Sequence, residues 1–191
     1  MFEACTWLNE PADWSAEASE LRVITDAKTD FWRETHYGFT RDTGHVFGQE
    51  VSGDFTAQVR IDAAFTDLYD QAGLMVRAGP GCWVKAGVEL SDGQALFSSV
   101  LTVDRSDWAI GGVARQDAPF WVRATVTRGV LRLQVSTDGK RWPLLRLAPF
   151  PAAPSILVGP MCCTPERAGL HVRFSEFKVG PPLVRDLHDL T

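Results

Sequence analysis

The chain has no block of basic residues. Its 19 lysines and arginines stand against 24 aspartates and glutamates, for a formal net charge of −5 over 191 residues. Nucleic-acid binding without sequence preference works by neutralising many phosphates, so that class is set aside. No apolar run has the length needed to cross a bilayer as a helix. The start, MFEACTWLNEPADW, has neither a basic opening nor an apolar signal core. A soluble, cytoplasmic protein is expected, with no nucleic-acid and no membrane partner. Cysteine is scarce: Cys5, Cys82, Cys162 and Cys163 show no Cys-x-x-Cys spacing, and the chain is too long and core-rich to need a disulfide framework. His36, His45, His171 and His188 are too scattered for a zinc pattern. Reduced thiols, no metal and no cofactor are the expectation. There is no glycine-rich phosphate loop, no nucleophile elbow and no convincing amphipathic helix.

What the chain does have is aromatic rings and alternation. Seven tryptophans and eleven phenylalanines stand beside two tyrosines, and each buried ring is worth roughly 2 kcal/mol on an area basis. Most of them must therefore be core. The organising stretch is Tyr69 to Leu90, two apolar runs flanking a hairpin connection at Gly79 to Gly81. Alternate residues of a strand share a face. Ala72, Leu74 and Val76 therefore oppose Gln71, Gly73, Met75 and Arg77, while Val84, Ala86, Val88 and Leu90 oppose Trp83, Lys85, Gly87 and Glu89. An indole, an amine and a carboxylate in a row read as the floor of a groove. Two charges on a partly desolvated floor must pair or meet ligand, so Lys85 is expected to be tied to Glu89 or a neighbouring carboxylate.

Along the rest of the chain, Leu21 to Thr25 reads as an early strand, preceded by an acidic segment able to form at most a helical turn. Thr29 to Phe39 has no clean period and reads as a structured loop joined to a short strand, with the loop holding Trp32, Arg33, His36 and Tyr37. It either packs across one end of a sandwich or walls the groove. Asp54 to Phe65 alternates as a half-buried antiparallel strand does. Ala95–Val103 is another strand, followed by Ser106-Asp107-Trp108. Phe120–Thr127 and Val130–Val135 are two more. Ser136 to Gly139 is a turn, Ala148 to Pro154 a surface crossover, and the last strand slips phase near Ser175-Glu176, as at a β-bulge. Many short strands between turn signals predict an all-β sandwich in one domain over residues 1–191, with 180–191 as a C-terminal tail.

The blocks TDFWRETHYGF, YDQAGLMVR, WVKAGVE, SDW, STDGKRW and HVRFSEFKVG resemble the regulator-of-enolase-like family of domains of unknown function, within the concanavalin A-like lectin and glucanase superfamily. The resemblance covers Trp7 to about Val179 and implies a jelly roll of two antiparallel sheets, with ligands on the concave side. It implies no activity. Glucanases of this fold carry Glu-x-Asp-x-Glu on one strand, whereas here Glu89 stands alone with Asp92 at the turn beyond. The legume-type calcium and sugar site needs asparagine, and Asn9 is the single one in the chain.

The expected ligand site gathers Trp32, His36, Tyr37, Gln71, Met75, Arg77, Trp83, Lys85, Glu89, Asp107 and Trp108, with Trp83 and Trp108 offering flat faces to a sugar ring. Three functions compete. A lectin-like domain binds a carbohydrate or polyol metabolite without catalysis. A carbohydrate-active hydrolase uses Glu89 with a second carboxylate from Asp70, Asp107 or Asp62, at the roughly 5 to 9 Å that glycoside hydrolysis needs. A cytoplasmic regulatory module binds a protein partner through an exposed apolar patch.

Overall fold

The computed structural model describes residues 1–116 and 118–191, and among them there is no helix. The described residues form sixteen strands. The first six are β1 (Thr6–Leu8), β2 (Asp13–Ala16), β3 (Glu20–Ile24), β4 (Phe31–Arg33), β5 (Thr40–Asp42) and β6 (His45–Val51). Then follow β7 (Phe55–Ala63), β8 (Gln71–Gly79), β9 (Cys82–Ser91), β10 (Gln94–Val103) and β11 (Arg105–Val113). The last five are β12 (Phe120–Thr127), β13 (Val130–Ser136), β14 (Leu144–Pro149), β15 (Ile156–Cys163) and β16 (His171–Gly180).

They form two seven-stranded antiparallel sheets. The front sheet has the order β1-β6-β15-β8-β9-β10-β11 and the back sheet β14-β13-β12-β7-β16-β3-β2. The all-β sandwich predicted from alternation is therefore present. β4 and β5 stand apart as a two-stranded hairpin.

Alternation sorts the side chains as expected. Ala72, Leu74 and Val76 of β8 and Val84, Ala86 and Val88 of β9 face the back sheet, where Phe55, Val59, Ile61, Val122, Leu131 and Leu133 meet them in one core. The β8–β9 turn is Pro80-Gly81, between the paired Gly79 and Cys82. The bulge read from the phase slip of the last strand is present: its ladder to β7 shifts between Ser175 and Lys178, and Glu176 takes φ 52°.

Among the strands that the sequence reading missed, five have identifiable reasons. β2 occupies the acidic segment expected to make a helical turn, because β3 offers it a pairing edge. β14 runs into the proline-rich crossover, where Pro149 costs no ladder bond at the end of an edge strand. β15 carries Gly159-Pro160 in the middle of the front sheet, a pair that argues against a strand in sequence alone. Glycine is required there: a Cβ on Gly159 would lie 2.2 Å from the Phe47 carbonyl oxygen of β6. β1 and β6, at three and seven residues, are joined by the long β2–β5 excursion that hides their pairing.

Candidate functional site

The outward face of the front sheet carries Gln71, Met75 and Arg77 from β8, and Trp83, Lys85 and Glu89 from β9. The β4–β5 hairpin is strapped across part of it. Arg33 donates its backbone N–H to Ser106 Oγ at 2.9 Å and its side-chain Nε to the Asp104 carbonyl at 3.0 Å. Arg77 clamps Asp42 with two bonds of 2.8 and 2.7 Å. Asn9 donates to the carbonyls of Asp42 and Gly44. Beneath the strap lies a second, smaller core of Phe31, Trp32, Val46, Met75, Trp83, Val100, Met161 and Cys163.

This overturns part of the expected site. Trp83 is 1% exposed and packs on Phe31, so it is core and not a ligand platform. Met75 is fully buried beside it. Arg77 is a structural clamp. His36 is exposed, with its ring edge-on to Tyr37, and lines a separate shallow cleft with Glu34 and Arg105. Asp107 is turned to the other side of β11, where it pairs with Arg146.

Where the strap ends, a pocket of about 210 Å³ opens. It brings together Trp32, Tyr37, Gln71, Lys85, Glu89 and Trp108 from the predicted set, and adds Asp30, Phe39, Arg41, Tyr69, Val100, Pro165 and Glu166. Lys85 Nζ lies 2.9 Å from Asp30 Oδ1, and both groups are buried. Lys85 is thus tied to a neighbouring carboxylate, as the burial argument requires. Burial is the largest influence on Lys85 and would lower its pKa, but the charge and hydrogen bond of Asp30, together with the nearby Cys163 and Glu89, more than offset it and hold the amine above its ordinary value.

Glu89 forms the polar end of the pocket. Its Oε2 accepts from Ser98 Oγ at 2.8 Å and from Trp108 Nε1 at 3.1 Å, while Oε1 accepts only a long 3.4 Å bond from the Gln71 amide. Burial raises the Glu89 carboxyl above the usual carboxylate range, although Lys85, Ser98 and Trp108 pull it the other way. At the mouth, the hydroxyls of Tyr37 and Tyr69 meet at 3.2 Å. That hydrogen bond, together with burial and nearby acidic charge, pushes the Tyr69 phenol up to about 12, so it is a neutral donor at physiological pH. Tyr69 and Trp108 stand edge to face, and Tyr37 packs against Trp32 and Phe39.

The other carboxylates considered as partners for Glu89 are committed elsewhere. Asp70 is fully buried, caps the Thr66 and Asp67 amides and binds Arg167. Asp62 pairs with Arg173 on the back sheet. A wider cleft of about 460 Å³ around Asp62, His171 and Arg173 has surface ion pairs and Trp14 in place of a polar floor between aromatic walls.

Of the residues that sequence reasoning missed, Ser98 was findable, since it pairs with Gly87 on the face of Glu89 once β9 and β10 are in register. Tyr69 was next to the organising strand but holds φ 63°, a conformation that strand periodicity does not announce. Asp30 and Glu166 lie in connections without period, and no local signal marks them.

Comparison with known proteins fits this picture. The family described as protein of unknown function (DUF1349) matches residues 7–182. The Saccharomyces cerevisiae protein named Regulation of enolase protein 1 is 58% identical over 189 residues, covering 97% of this chain and 94% of that one. A crystal structure titled as a functionally unknown protein from Saccharomyces cerevisiae superposes with a TM-score of 0.93 at 55% identity, covering 96% of this chain and 99% of the other. A more distant likeness, to Bacteroides ovatus Xyloglucan PUL GH43B, has a TM-score of 0.70 at 15% identity and spans 92% of this chain but 36% of that one. At that distance only the fold is shared, and the fold is the lectin-like jelly roll of the concanavalin A type.

Proposed function

The chain belongs to the DUF1349 family of proteins of unknown function, and we propose that its front-sheet pocket binds a carbohydrate or similar polyol metabolite of the cytoplasm without catalysing a reaction on it. One observation carries this reading. A fixed carboxylate, an amide and an indole N–H converge at Glu89, Gln71 and Trp108 between aromatic walls. Sugars combine apolar ring faces with hydroxyls on the rim, and such a lining answers both.

Hydrolysis takes second place. Asp30 shares the pocket with Glu89, but it is ion-paired to Lys85 and accepts the Phe31 backbone N–H at 2.8 Å. It is thereby occupied in holding the strap rather than free to act on a glycosidic bond. A regulatory protein contact is a third reading, supported by the name of the yeast relative and by Ile110 and Val113, which are 44% and 66% exposed on the edge strand β11.

Thermal-shift measurement against a panel of monosaccharides and alditols tests the proposal. Some member should raise the melting temperature of the wild type, and Trp108→Ala should abolish the shift. Trp83→Ala is no test of binding, since that ring is core and its loss costs stability. If no member shifts the wild type, the proposal falls.

A further inference from the structure

The ionisable groups around the pocket do not balance. Three carboxylates, Asp30, Glu89 and Glu166, line it against Lys85 and Arg41. Lys85 is committed to Asp30 at 2.9 Å. Arg41 belongs to the hairpin and lies over the Phe39 ring at 4.6 Å. Glu89, at the buried end, has no cation within 4 Å among the described residues; its contacts are the neutral donors of Ser98, Trp108 and Gln71. Its Oε1 accepts only one long bond and so keeps lone-pair capacity for a further donor. Taking a carboxylate out of water with no cation in contact is unfavourable; Lys85, which is held by Asp30, lowers the Glu89 pKa from a distance, but burial outweighs it and raises the pKa.

The walls favour the same sign. Trp32, Tyr37, Tyr69 and Trp108 line the pocket, and the face of an aromatic ring attracts a cation and repels an anion. A volume of about 210 Å³ is the share of about seven water molecules at about 30 Å³ each, enough for one ring and not for a chain of them.

Resting on the carbohydrate reading above, we infer that the ligand is a single-ring amino sugar or amino-polyol, whose ammonium group is received by Glu89 between the aromatic walls. Sugar phosphates and sugar acids are excluded by the same three carboxylates.

Isothermal titration of the full chain with matched pairs decides it: glucose, galactose and mannose, each beside its 2-amino counterpart, together with glucose 6-phosphate. At least one amino sugar should bind ten-fold or more tightly than its neutral parent. The phosphate should not bind, and Glu89→Gln should bring the pair to within two-fold of each other. The Gln side chain keeps the acceptor for Ser98 and Trp108, and a thermal melt of the variant establishes that it is folded. Equal binding of neutral and amino sugars, binding of the phosphate, or a preference that survives Glu89→Gln would each overturn the amine and leave the sugar reading standing. Absence of binding by every sugar would overturn both.

Discussion

Glu89 and Lys85 lie four residues apart on one face of β9, yet their electrostatic situations are opposite. Lys85 has its counter-ion in contact, whereas Glu89 touches only neutral donors and feels the charge of Lys85 from beyond contact distance. For a carboxyl whose pKa is raised on folding, the native state binds more protons than the unfolded chain between the ordinary and the raised value. Stability therefore falls as pH rises through that window. Glu89→Gln removes this penalty. Its melting temperature should match the wild type near pH 4.5 and exceed it at pH 7 to 8, as a melting series across that range will show; a difference that does not change with pH would contradict it. Lys85→Met has the reverse character, because it leaves the Asp30 carboxylate buried without its counter-ion. Breaking a buried pair costs about 3–5 kcal/mol, and for a chain of this size each kcal/mol lowers the melting temperature by roughly 2–4 °C. The Lys85→Met/Asp30→Asn double variant should recover most of the loss in the same melt, and a double variant no better than the single would mean that the two groups do not act as a pair.

The element that makes a pocket of this sheet face is the β4–β5 hairpin, and one of the contacts that seat it leaves no spare room. Gly44 lies against the Phe31 ring so closely that an added Cβ would come within 2.2 Å of Phe31 Cε2. Phe31 is itself fully buried against Trp83, so it has little room to retreat. Gly44→Val should lift the hairpin, exposing Trp83, with a red-shifted tryptophan emission and a stability loss of about 3 kcal/mol or more from overpacking. Unchanged emission in a folded variant would mean that the strap is not what seals the indole. Here the reach of sequence reasoning has a physical limit. A period of two is local, so β7, β8, β9 and β12 were legible, along with the face that Lys85 and Glu89 share. What covers a face is not local. The strap that buries Trp83, turns Arg77 into a clamp and brings Asp30 to Lys85 is set by hydrogen bonds spanning up to 73 residues, such as that from Arg33 to Ser106. An indole beside charges read as a sugar platform because nothing near it in sequence announces the hairpin above. His36 was misplaced for a related reason: with φ 61° in a tight loop, its ring is carried outward to the far side of Tyr37.

At the scale of the molecule, the two outer faces of the sandwich are put to different uses. The front one is hollowed by the hairpin, whereas the back one is covered by the chain end. Leu183 donates its backbone N–H to Thr56 Oγ1 at 2.8 Å, Arg132 donates to the carbonyls of Leu183 and Arg185, and the Trp142 backbone N–H reaches the Leu190 carbonyl at 2.8 Å. Below this covering, Arg123 stacks over Trp142 at 3.6 Å, its pKa lowered to about 10 by burial and by the charges of Arg185 and Arg132. Removing residues 183–191 deletes these four hydrogen bonds, each worth about 1 kcal/mol net, but also frees the conformational entropy of the segment and one repulsive charge. The balance is a loss of about 2 kcal/mol, or a fall of roughly 4–8 °C in melting temperature. The pocket lies across the full thickness of the core from this change and shares no side chain with it, so effects at the two sites should add independently. Ligand affinity in the truncated chain should therefore stay within two-fold of the intact one when both are titrated below their melting range. A larger change would show that the sandwich transmits the state of its back face to the site, making the chain end a regulator of binding instead of a stabilising cover.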